Sequence, residues 1–99
     1  MISALEHINK HFENKTRLGI MSALMVNDRI DFVTLKELLN ATDGNLASHL
    51  RALEELAYLK VEKQFIERKS NTSYSVTVSG YKAFSDHLSA LEDLIKGVS

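Results

Sequence analysis

The side chains with the most chemical capability fall in two short stretches of this 99-residue chain. The first starts at Thr42-Asp43-Gly44-Asn45. Within it Leu46, Leu50, Leu53 and Leu56 recur at steps of four, three and three, the repeat of one helix face. With those leucines packed inward, Asn45, Ser48, His49 and Ala52 point outward and Arg51 lies at the flank. An asparagine amide can pair with both hydrogen-bonding positions of an adenine edge. Serine and histidine can donate to bases or phosphates, and arginine can do either. Thr42 can cap the helix, with Asp43 favourable at the positive end of its dipole. A merely solvated helix face would carry the same residue types.

The second stretch carries the charge. Residues 60–72 hold Lys60, Lys63, Arg68 and Lys69 against Glu62 and Glu67, whereas residues 43–59 hold Arg51 against Asp43, Glu54 and Glu55. The positive field therefore sits on the later segment. Arg68 and Lys69, followed by the neutral donors Ser70, Asn71 and Thr72, suit contact with phosphates or a minor groove; the bland alternative is a solubilising turn.

Other candidates are weaker. His7 and His11 are spaced i, i+4, which can bind zinc, but only Glu6, Asp86 or His87 across an interface would complete the set, so exposed helix surface is the reading and no metal or cofactor is expected. Arg17 is read as a structural brace to an acidic partner, ahead of a phosphate contact. Cysteine is absent, which excludes disulfides, thiolate zinc sites, a catalytic thiol and a thiol switch. No nucleophile–base pair, glycine-rich phosphate loop or paired carboxylates emerge, so an enzyme is not expected.

The elements that must position these residues follow from periodicity. Twelve basic and 13 acidic residues give a net charge of −1, which excludes a wholly basic tail protein. No apolar run reaches membrane-spanning length and no leader is visible, so a cytoplasmic chain is expected. Leu5, Ile8 and Phe12 predict an amphipathic helix over about 3–13, and Leu18, Met21, Leu24 and Met25 a buried one over about 15–26. Ile30–Val33 reads as a short edge strand. Thr34 and Glu37 fit a capping box, opening a helix with Leu35, Leu38 and Leu39 inward that ends near Asn40. From Leu59 the period becomes two: Leu59, Val61, Lys63 and Phe65 share a face, as do Thr72, Tyr74 and Val76, with a polar tip at residues 67–71. Thr77 can cap a last helix carrying Tyr81, Phe84, Leu88, Leu91 and Ile95. The prediction is one domain over 1–99, mainly α with a small β-hairpin: a helix pair over about 34–57, the hairpin over about 59–76, and terminal helices over about 3–13 and 78–97.

A helix pair followed by a hairpin looks like a winged helix-turn-helix. Residues Thr42 to Leu59 resemble the "S-x-x-x-L-S-x-H-L-x-x-L-E-x-x-G-Y-L" helix of bacterial and archaeal winged-helix regulators, the MarR-type and ArsR-type repressors and their small stand-alone relatives. Thr16-Arg17-Leu18-Gly19-Ile20-Met21 is similar to their "x-R-L-x-I-L" helix, and Val76-Thr77-Val78-Ser79-Gly80 to their "L-T-x-x-G" after the wing. Ala57 stands where the family usually has glycine. The cysteines or carboxylate-x-histidine pattern of the arsenical-type metal sites are missing.

The resemblance implies a transcriptional regulator that binds duplex DNA sequence-specifically. Its recognition helix would use Thr42, Asn45, Ser48, His49 and Arg51, and its wing Lys63, Arg68, Lys69, Ser70 and Asn71. The stripes Leu5, Ile8, Phe12 and Leu88, Leu91, Ile95 extend beyond what one compact winged helix covers, so they are expected to form a symmetric homodimer interface on extra N- and C-terminal helices. Alternatively, the two helices cover each other within one subunit. A two-fold dimer would read a pseudo-palindromic operator. Tyr81 and Phe84 are expected to seal the domain's own core. Rival functions are a winged-helix protein-interaction module and a ligand-responsive repressor with a pocket at the dimer interface, whose effector the sequence does not name.

Overall fold

The computed structural model describes residues 2–97. Helix α1 (Ile2–Glu6) is followed by a single 3-10 turn (Lys10–Phe12), α2 (Lys15–Met25), strand β1 (Ile30–Asp31), α3 (Phe32–Leu39) and α4 (Asp43–Glu55). Strands β2 (Leu59–Ile66) and β3 (Lys69–Val76) form the hairpin, and α5 (Val78–Lys96) closes the chain. Helices hold 61% of the described residues, which bears out the mainly α reading, with a three-stranded antiparallel sheet in the order β1-β3-β2.

Short polar side chains set the helix starts. Asn14 Oδ1 accepts the Thr16 and Arg17 N–H groups at the head of α2, and Thr42 Oγ1 accepts the Asn45 N–H at 3.2 Å. The cap of α3 is Asp31, which accepts the Thr34 N–H at 2.7 Å, and not Thr34 as the capping box predicted. The helix therefore starts three residues earlier, the expected strand shrinks to Ile30–Asp31, and the core stripe becomes Phe32, Leu35 and Leu39. Leu38, expected inward, is exposed. Asn40 ends α3 in the left-handed region at φ 49°.

The core joins all parts: Phe12, Ile20, Met21, Leu24, Ile30, Leu35, Leu46, Leu50, Leu53, Leu59, Tyr74 and Phe84 are buried together. Thr77 locks the start of α5 to the end of α4: its hydroxyl donates to Ala57 O at 2.7 Å while accepting from Gly80 N–H at 2.9 Å. The helix end is sharp despite alanine replacing glycine. Ala57 takes φ 63°, and the Tyr58 N–H returns to Leu53 O at 3.0 Å.

Both terminal helices depart from expectation. The first does not run to residue 13. It breaks at residues 7–9, where Asn9 caps the 3-10 turn and donates its own N–H to His87 Nδ1 at 3.0 Å. The break turns Phe12 inward, 2% exposed, edge-on to Phe84 at 5.1 Å and beside Tyr58 and His87. Phe12 thus belongs to the chain's own core and cannot share the expected dimer stripe with Leu5. On α5, Phe84 is buried as expected, but Tyr81 is 53% exposed.

Candidate nucleic-acid interface

Helix α4 buries Leu46, Leu50 and Leu53, and that alone fixes which residues face out. Thr42, Asn45, Ser48 and Arg51 are exposed and His49 is half-buried. Two of these side chains are held by the head of α2. The Thr16 hydroxyl donates to Asn45 Oδ1 at 3.0 Å, and Arg17 Nε–H donates to His49 Nδ1 at 2.8 Å. Arg17 Nη1 also donates to His11 O at 3.4 Å. Arg17 is therefore a brace, but to an imidazole and a carbonyl and not to the acidic partner expected. Burial first, and the Arg17 charge second, push the His49 imidazole below its ordinary range. The turn before α4 is pinned by an exposed Lys36–Asp43 ion pair at 2.8 Å.

The hairpin register sorts the second group of residues by face. Val61 pairs with Tyr74, Lys63 with Thr72 and Phe65 with Ser70; these lie on the sheet face that meets α4. Between that face and α4 runs a groove of about 580 Å³, lined by Ala47, Arg51, Glu54, Lys63 and Tyr74 among others. Lys63 and Arg51 thus share one groove. Gln64–Asn71 and Ile66–Lys69 pair on the opposite face. There Asn71 is the least of the groups that hold the Asp31 carboxyl below its usual value, the Thr34 N–H being the chief one. The tip is tighter than expected: Glu67 and Arg68 alone make the turn, at φ 50° and 67°, and residues 69–71 belong to β3. Paired positive φ values match the twist of the strands. Arg68, Lys69 and Ser70 are exposed there. Nearer the sheet, Glu62 is neutralised by Arg29 at 3.3 Å and Lys60 at 3.6 Å.

Residues 16–95 match the winged helix DNA-binding domain family. The chain belongs to that family. An uncharacterized protein of Methanocaldococcus jannaschii is 34% identical over 89 residues, 90% of this chain and 97% of that protein. Among solved structures, the transcriptional regulator homologue protein from Pyrococcus horikoshii OT3 superposes with a TM-score of 0.87 at 33% identity, covering 96% of each chain. The ytfH protein of Salmonella typhimurium gives a TM-score of 0.71 at 27% identity over 88% of this chain and 76% of that one. In this winged helix, α3 and α4 form the helix-turn-helix and β2–β3 the wing.

Sequence reasoning missed two features of the winged helix. One is that the head of α2, through Thr16 and Arg17, holds side chains of α4; only the positions of folded helices reveal this. The other is that Phe65, which shares a face with Leu59 and Val61, is 76% exposed, because the wing projects past the core. The signal was its spacing, since no apolar partner follows Tyr74 toward the tip on β3. Residues offered for dimerisation are spread: Leu5, Leu88, Leu91 and Ile95 are exposed, Ile8 is half-buried, and Phe12 is internal. Ala4 and Ala90 are both buried where α1 lies on α5. The two terminal helices thus do cover each other in part, and an apolar stripe still remains outside. His7 Nδ1 donates to Ser3 O at 2.7 Å and His87 Nδ1 accepts from the Asn9 N–H, and among the described residues no three His, Cys, Asp or Glu side chains come together as a metal site. Among the described residues no helix is long and apolar enough to cross a membrane.

Proposed function

We propose that this winged helix is a transcriptional regulator that binds duplex DNA sequence-specifically as a homodimer. The observation that carries the reading is the juxtaposition of two features. One is the outward polar row of α4, with Asn45 and His49 held in place. The other is the wing groove, where Arg51 and Lys63 meet, below the exposed Arg68 and Lys69. With α4 in a major groove, Asn45, Ser48 and His49 reach base edges, and Thr42 and Arg51 reach the flanking phosphates. The wing tip lies over the neighbouring backbone, where Arg68, Lys69 and Ser70 neutralise or donate to phosphates. Leu5, Ile8, Leu88, Leu91 and Ile95 form the two-fold seam. The operator is then pseudo-palindromic, with half-sites about 34–36 Å apart. The similarity to the Pyrococcus horikoshii transcriptional regulator homologue supports the regulatory role. Chromosomal DNA as partner makes the cytoplasm the place of action.

Selection from randomised duplexes, followed by sequencing, tests the reading. An enriched motif with two-fold symmetry is the expected result. Enrichment without symmetry overturns the dimer, and no enrichment overturns sequence-specific binding.

A further inference from the structure

The contact between Arg17 and His49 is chemically one-sided. A guanidinium carries only N–H donors. Its Nε–H meets His49 Nδ1 at 2.8 Å, so Nδ1 must offer its lone pair. The imidazole is then neutral and its proton sits on Nε2. Arg17 is not free to turn away: its backbone N–H is held by Asn14 Oδ1 at 3.1 Å and its Nη1 reaches His11 O. One helical turn earlier on α4 the pattern repeats. The Thr16 hydroxyl occupies Asn45 Oδ1, leaving the amide NH2 to serve any ligand. Two outward residues, either of which could in principle donate or accept, are thereby left with donors to offer.

We propose that Arg17 is a positioning residue that holds His49 as an obligate hydrogen-bond donor, and that the base facing His49 in the operator is guanine. This inference rests on the reading of α4 as the helix in the major groove. Guanine presents two acceptors there, N7 and O6, and so the widest target for a lone donor; adenine sets an N6 donor beside its N7, thymine a methyl beside its O4, and cytosine presents its N4 donor. A second donor one turn away at Asn45 reinforces the preference for acceptor-rich purine edges. Protonating His49 would replace the hydrogen bond with two cations in contact. Arg17 of α2 is the charged group that acts on the ring, and the α4 residues three and four positions either side, Asn45, Leu46, Ala52 and Leu53, are uncharged. Protonation therefore opposes the clamp without removing the Nε2 donor, since both ring nitrogens of the imidazolium carry protons.

Two measurements test this. Long-range proton–nitrogen NMR of the DNA-free protein reads the histidine tautomers directly, with His49 identified by its loss in His49→Ala. The expected spectrum shows a proton on Nε2 and none on Nδ1, and in Arg17→Ala or Arg17→Gln a mixture of tautomers. A protonated Nδ1 in the wild type overturns the clamp whatever the protein binds. Selection from randomised duplexes should then return guanine at one position per half-site. Both Arg17→Gln and His49→Ala should lose roughly tenfold or more of that preference, with other positions unchanged. An Arg17 variant that weakens all sequences equally, guanine preference intact, overturns the positioning role in favour of a phosphate contact. A motif lacking guanine overturns this inference alone, and no motif at all overturns the DNA reading beneath it.

Discussion

At the scale of single residues, two positions are dictated by close approach and burial. Gly80 begins α5 against the Tyr58 carbonyl, and a Cβ built there would lie 2.2 Å from that backbone oxygen. No side-chain rotation relieves such a clash. Gly80→Ala should lower stability by about 1–3 kcal/mol, seen as a reduced denaturation midpoint with an unchanged slope. His87 is only 3% exposed, and its Nδ1 accepts from the Asn9 N–H, so it folds neutral. Burial lowers its pKa, with Glu13 opposing in part. Because the unfolded imidazole titrates near about 6.5, the unfolded chain gains a proton first as pH falls. The stabilisation is complete above that value and is lost progressively below it, toward the lower folded pKa. His49 is shifted the same way, burial acting first and Arg17 second, and adds to the slope. Urea unfolding from pH 7 to 5 should show falling stability. His87→Gln, whose amide oxygen can still accept from Asn9, should flatten that fall.

At the scale of elements, the wing divides its labour by face. Lys63 looks into the groove with Arg51, while Asn71, paired with Gln64, lies on the other face of the wing. Lys63 and Asn71, expected as equivalent contacts, should therefore separate by assay. Asn71→Ala should leave DNA affinity nearly unchanged, whereas Lys63→Ala should weaken it. Arg68 and Lys69 stand exposed at the tip, where each ion neutralises a phosphate if the wing lies on DNA. Replacing Arg68 with Ala removes about two contacts per dimer, so the slope of log K against log salt should flatten by about 2, similarly for every duplex. An unchanged slope would put the tip away from the backbone.

At the scale of the molecule, the longest dimension is 53 Å, and α5 carries an apolar row that the chain itself leaves uncovered. Ile95 is 86% exposed, and Leu88 and Leu91 are open beside it. Burying each such side chain in a partner contributes about 1.5–3 kcal/mol. In the proposed homodimer, Leu91→Glu should therefore yield monomer at micromolar concentration by ultracentrifugation, with native circular dichroism. DNA affinity should drop with it, because one recognition helix loses the second half-site. Phe84→Ala should instead unfold the domain, since Phe84 packs against Phe12 in the core. Tyr81→Ser, at a half-exposed position, should leave the fold intact. A Leu91→Glu protein that stays dimeric would move the seam elsewhere.

What was determined locally was legible in the chain. The caps Thr42 and Thr77, the leucine row of α4 and the alternation of β2 and β3 depend on residues a few positions apart, and the structure keeps all of them. Local patterns failed where two local solutions competed. Asp31 outcompeted Thr34 as a cap because β1 holds it against β3, seen in the Asp31–Ser73 pairing. The first helix broke because His87, 78 positions away, offers the Asn9 N–H an acceptor that a helix would not need. Phe12 followed the break into the core. The states of Asn45 and His49 were equally invisible, since their partners Thr16 and Arg17 lie about thirty residues earlier. Hydrogen-bond partners across such distances are chosen by packing, and packing is decided only when the whole chain folds.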